Sequence, residues 1–124
     1  PIITSKVADV ENDIDRLLED YNSIDEIVIE DIIDFHYRFE KIHPFGDGNG
    51  RVGRMIMFKE CLKNGIMPFI ISNDDRSYYL RGLNEYKRDT AWLVDTILHA
   101  QDIYTYTVEK YLSISNENDT GFTR

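Results

Sequence analysis

The sequence predicts an all-α fold, and three observations carry that prediction. Apolar residues recur at three- and four-residue spacing along five segments. Strands are weakly signalled: Met67 to Ser72 is a short apolar connection in which Pro68-Phe69-Ile70-Ile71 is the only strand candidate, and one strand makes no sheet. A length of 124 residues suits one domain built around one core.

Each element follows in order. Val7, Val10, Ile14, Leu17, Leu18 and Tyr21 make residues 6–21 an amphipathic helix, broken at Asn22 and Ser23. Ser23 with Glu26 is a capping-box pattern that starts a second helix over about 25–42. Ile32, Ile33, Phe35, His36, Phe39 and Ile42 line its buried side. Pro44 stops it, because the residue before a proline is pushed out of the helical region. The three glycines of Gly46-Asp47-Gly48-Asn49-Gly50 make a tight loop. A third helix opens near Gly50 and reads to Asn64, with Val52, Met55, Ile56, Cys61 and Leu62 inward and Gly65 as its stop.

Ser72 with Asp75 caps a fourth helix, about 74–88, carrying Tyr79, Leu83 and Tyr86. The last, about 90–112, carries Trp92, Leu93, Ile97, Ile103, Tyr104, Val108 and Leu112. Trp92 and the tyrosines between 104 and 111 pack this helix on the core, a partner surface being the alternative. Residues 1–112 thus form a compact helical core with its loop between two central helices, and 113–124, polar and rich in Ser and Asn, read as a frayed tail. His36 reads as a satisfied core histidine and Cys61 as a small buried hydrophobe.

Charge limits the partners. With 23 acidic and 14 basic residues the net charge is −9, which disfavours nonspecific binding of nucleic acid or anionic membrane. No apolar run approaches the roughly 20 residues of a bilayer span. One cysteine excludes an internal disulfide and a cysteine-rich zinc site, and it points to a cytoplasmic setting. The chain opens on Pro1 and reads as part of something longer. The charge is also uneven. Residues 1–40 carry a net −9, whereas 41–64 carry a net +3, and this basic island coincides with the glycine-rich segment.

That segment, His43 to Arg54, is where chemistry concentrates. A helix ends, a loop turns and a new helix begins, so free N–H groups at a positive helix end point into the loop. Gly48 and Gly50 let backbone N–H groups converge into an anion nest. Arg51 and Arg54 project from one face of the first turn, where cations are unfavourable unless an anion sits between them. Two arginines and a nest suit a polyphosphate. Asp47 is a lone carboxylate among these groups, a natural ligand for Mg²⁺ beside phosphate oxygens. His43 stands at the entrance and can take a proton from an attacking hydroxyl. Singly, each has a plain structural explanation; together they describe phosphoryl or nucleotidyl transfer.

These residues resemble the signature of the Fic-domain family, His-Pro-Phe-x-(Asp/Glu)-Gly-Asn-Gly-Arg-x-x-Arg, at His43, Pro44, Phe45, Asp47, Gly48, Asn49, Gly50, Arg51 and Arg54. The helix before the motif and the segment from Asp75 through Leu83 also resemble the family, so the likeness covers about residues 7–95. The resemblance implies a protein adenylyltransferase that moves AMP from ATP to a Ser, Thr or Tyr hydroxyl of a target protein. It implies His43 as general base and Asp47 as the Mg²⁺ ligand. It gives Gly48, Asn49 and Gly50 to the phosphates, Arg51 to the β-phosphate and Arg54 to the γ-phosphate. Phe45 would pack beneath the loop and fix it. Tyr79 and Leu83 would help form an adenine slot, with core packing as the alternative.

Two family features are expected elsewhere or in altered form. No hairpin signal for the family's target-binding flap precedes residue 7. Ser113, Glu117 and Asn118 fit the family's inhibitory pattern, in which the Glu pairs with the last motif arginine. Rival readings are transfer or removal of another phosphate-bearing group, and a nucleotide-responsive binding module without turnover.

Overall fold

The computed structural model describes residues 2–118. The chain folds into five α-helices: α1 (Val10–Asn22), α2 (Ile29–Ile42), α3 (Asn49–Lys63), α4 (Arg76–Glu85) and α5 (Ala91–Asn118). Single 3-10 turns, Val7–Asp9 and Asn73–Asp75, lead into α1 and α4. No strand occurs among the described residues, and 68–71 is an extended connection without a partner. None of the described helices is long and apolar enough to cross a membrane.

α2 is the spine. It packs on α1, α3 and α5, while α4 lies along α5. All six residues predicted for its inner side are buried, and the five apolar ones divide between two clusters. Ile32 and Ile33 join Met57, Cys61, Phe69, Leu93 and Ile97 in the larger one. Phe35, Phe39 and Ile42 meet Leu17 in the smaller one, roofed by Val10, Ile14 and Tyr21. Burying side chains of this size stabilises by roughly 1.5–3 kcal/mol each. Cys61 is fully buried, and burial pushes its thiol up to about 11.

Three local expectations are corrected. α2 begins at Ile29, not at 25, and Ser23 does not cap it. The Ser23 hydroxyl turns back to the Asp20 carbonyl at 2.7 Å, and Asp31 caps α2 by accepting the Val28 N–H at 3.0 Å. The inner face of α3 is also different. Met55 and Leu62 are 65% and 59% exposed, and the buried positions are Asn49, Gly53, Met57, Glu60 and Cys61. Glu60 is tolerated inside because the Tyr21 hydroxyl donates to it at 2.9 Å and Lys59 lies 3.4 Å away. Finally, α5 continues through Asn118, since no Gly or Pro interrupts residues 113–118. On it, Tyr104 packs on Phe58, but Tyr106 and Tyr111 are exposed.

Candidate active site

The loop between α2 and α3 is built from two left-handed residues and one clamp. His43 ends α2 with φ 55° and ψ 60°, while its N–H still donates to the Phe39 carbonyl at 3.0 Å. Among the described residues it is the single non-glycine with positive φ. That geometry turns the chain sharply before Pro44 and leaves the imidazole exposed. Gly48 starts α3 at φ 78°, a conformation that disfavours any side chain. Asn49 is the clamp. It is buried, its Oδ1 accepts the Phe45 N–H at 2.9 Å, and its Nδ2 donates to the Phe45 carbonyl at 2.7 Å.

Both ends of the Asn49 carboxamide hold the loop. Phe45 leans on Phe39 with ring centroids 6.3 Å apart, yet it is 49% exposed and does not underlie the loop.

The helix start faces outward as a set of donors. The first intrahelical bond of α3 runs from the Val52 N–H to the Gly48 carbonyl at 3.0 Å. The N–H groups of Asn49, Gly50 and Arg51 therefore have no intrahelical partner and lie at the positive end of the dipole. Gly48 N–H is held by Asp47 Oδ1 at 2.8 Å. Arg51 is exposed. Arg54 is half-buried and curls back along the first turn, with Nη1 2.9 Å from where a Gly50 side chain would begin. No carboxylate lies within 4.0 Å of Arg54 among the described residues. The structure thus gathers the nest and Arg54 at one helix end, with Arg51 beside them on the surface.

Asp47 is exposed on this loop, and no group of three or more His, Cys, Asp or Glu side chains among the described residues could hold a metal. A lone carboxylate beside phosphate donors fits Mg²⁺, which takes one or two carboxylates and completes its shell with phosphate oxygens and water. Asp47 is the residue that would hold it.

Tyr79 and Leu83 do not form an open slot. They are 3% and 5% exposed and belong to the core, as the packing alternative describes. The open space beside the arginines is instead a cavity of about 290 Å³, walled by Met55, Phe58, Ile70 and Ile71 together with Arg51 and Arg54. A larger cavity of about 640 Å³ between α4 and α5 shares no residue with the loop. The apolar run at 68–71 is the sequence signal that the smaller cavity leaves.

Beneath Arg54 lies a buried polar cluster. His36 is 0% exposed, and its Nε2 lies 2.5 Å from the Tyr79 hydroxyl. Its Nδ1 has no partner, so this core histidine is only half satisfied. Burial pushes its pKa down to about 4, opposed by the Gly53 backbone and aided by the nearby Arg54 charge, so it is neutral at pH 7. Burial raises the Tyr79 phenol to about 12. Glu40 is raised by burial and pulled back by the charges of Arg54 and His43. In the expected inhibitory pattern, Ser113 is exposed on α5; the side chains of Glu117 and Asn118 lie outside the described residues.

Residues 2–61, which include the loop and most of α3, match the Fic/DOC family. The chain is 36% identical over 88 residues to a probable protein adenylyltransferase of Aquifex aeolicus (strain VF5), covering 68% of this chain and 27% of that protein. It is 31% identical over 96 residues to the protein adenylyltransferase Fic of Nematostella vectensis, covering 68% of this chain and 22% of the relative. A Drosophila melanogaster protein adenylyltransferase Fic is 46% identical over 44 residues, covering 36% of this chain and 9% of that protein. The chain therefore spans about a quarter or less of the length of these relatives. Over residues 2–61, the stretch that holds the loop, the chain belongs to the Fic/DOC family.

Proposed function

We infer that this chain carries the catalytic core of a protein adenylyltransferase, which joins AMP from ATP to a hydroxyl side chain of a target protein. One observation carries the reading: unpartnered N–H donors and Arg54 converge at the start of α3, next to an exposed His43. His43 takes the proton of the target hydroxyl. The oxygen bonds to the α-phosphorus, the bond from that phosphorus to the bridging oxygen breaks, and pyrophosphate leaves. The N–H groups of Asn49, Gly50 and Arg51, with Arg54, stabilise the charge that builds on the departing phosphates. Mg²⁺ held by Asp47 would neutralise phosphate charge. The cavity walled by Met55, Phe58, Ile70 and Ile71 is an apolar space next to the arginines, of a kind that suits a nucleobase.

The test is incubation with isotopically labelled ATP and Mg²⁺, with and without added protein acceptors, followed by mass spectrometry. The expected result is an added AMP on a Ser, Thr or Tyr side chain. Nucleotide binding without any transfer, in the full-length protein, would favour a binding module instead.

A further inference from the structure

Of the polar cluster under α3 only Arg54 takes part in the chemistry above, yet the cost of the whole cluster is high. Three helices contribute to it: His36 and Glu40 from α2, Arg54 from α3 and Tyr79 from α4. Two of its atoms, His36 Nδ1 and Glu40 Oε1, are buried without partners. An unsatisfied buried polar atom costs roughly 1–3 kcal/mol, so an apolar set of residues here would be more stable.

The backbone is shaped to admit the cluster. A side chain on Gly53 would begin 2.6 Å from Glu40 Oε1 and 3.1 Å from the His36 ring. Gly53 therefore lets α2 and α3 approach closely enough to seat both groups. The Arg54 guanidinium lies 6.0 Å from the centroid of the Tyr79 ring. Tyr79 is in turn held through its hydroxyl by His36, which is itself immobilised at full burial.

We propose that His36 and Tyr79 are positioning residues for Arg54: His36 Nε2 accepts the Tyr79 hydroxyl proton, which turns the phenol oxygen's lone pairs toward the guanidinium and fixes where a nucleotide's terminal phosphate is gripped. Arginine has only donors, so an oxygen with free lone pairs is what it needs from below. Neutral His36 can accept at Nε2 because its hydrogen then sits on Nδ1. Glu40, 4.0 Å from His36 Nε2, supplies negative potential without a direct ion pair, which leaves the guanidinium free for phosphate. The inference rests on the nucleotide reading above and adds the residues that aim its last arginine.

The experiment measures ATP and AMP affinities, each with Mg²⁺, for the parent, Tyr79→Phe, His36→Leu, Arg54→Ala and the Tyr79→Phe/Arg54→Ala double variant. Tyr79→Phe and His36→Leu should each weaken ATP by about five- to tenfold and AMP by less than twofold. The double variant should bind ATP no more weakly than Arg54→Ala alone, because Tyr79 acts through Arg54. A purely structural role would lower both affinities together. Equal ATP-to-AMP ratios in parent and both single variants, or additive losses in the double variant, would overturn the proposal while leaving the nucleotide reading intact. If the parent bound no ATP, the nucleotide reading would fall and this inference with it. Should Tyr79→Phe not fold, His36→Leu decides the question by breaking the same link from the other side.

Discussion

His36 and His43 stand two helical turns apart on α2, and their surroundings give them opposite uses. His36 is sealed between α2, α3 and α4, bonded to Tyr79 and kept neutral by burial. His43 is one turn past the last buried phenylalanine, exposed, on left-handed backbone, at the mouth of a loop lined by free donors. The residue type is the same. What differs is whether water reaches the ring, and that separates an accessible imidazole from one that can only hold a neighbour.

Breaking the exposed member should have the largest effect. His43→Ala should lower AMP transfer by about 10²- to 10⁴-fold while leaving ATP affinity near the parent value, read by label incorporation and by titration calorimetry. Transfer at the parent rate would remove His43 as the base.

The buried member should speak through pH. Its pKa is lowered to about 4 in the fold against about 6.5 in the unfolded chain, so the unfolded state binds more protons in between. Stability should therefore fall as pH drops from about 6.5 toward 4, by on the order of 2 kcal/mol between pH 7 and pH 5. The groups facing His36 are Tyr79, Glu40 and Arg54. Tyr79, raised by burial to about 12, does not titrate in this range, and Glu40, whose pKa is raised by burial, acts in the opposite direction. Denaturant melts of the parent against His36→Leu isolate the histidine: the variant's profile should be flatter, and two parallel profiles would refute the assignment.

The smallest effect sharpens the loop side of the comparison. Gly48→Ala places a side chain at φ 78° with open space around it, so only backbone strain is added. The expected loss is about 1–2 kcal/mol in stability, read by thermal unfolding, with looser ATP binding as the loop shifts. A gain in stability would mean that the left-handed turn is not needed.

Legibility from sequence followed the number of neighbours each element has. The inner face of α2 was readable to the residue, because a single continuous stripe of apolar side chains faces the core, whereas its start and cap were not. The inner face of α3 was not readable. Val52 and Ile56 pack with the smaller cluster, Met57 and Cys61 with the larger, while Met55 and Leu62 face out, so no one stripe marks its inside. Tyr79 and Leu83 carried the spacing of a core face and the family position of a nucleotide contact, and burial decided for the core. Nothing in the spacing of Asn49 and Phe45 reveals that the carboxamide closes the loop on itself.

The sequence alone determined the helical class, the end of α2 at a proline and which groups the loop gathers. Those depend on local conformational preference and on which groups lie side by side along the chain. Tertiary structure alone decided which histidine meets water, which face of α3 is inside, and that Tyr79 stands under Arg54. These are contacts between residues up to 43 positions apart, and burial set by such contacts is what shifts a pKa or aims a charge.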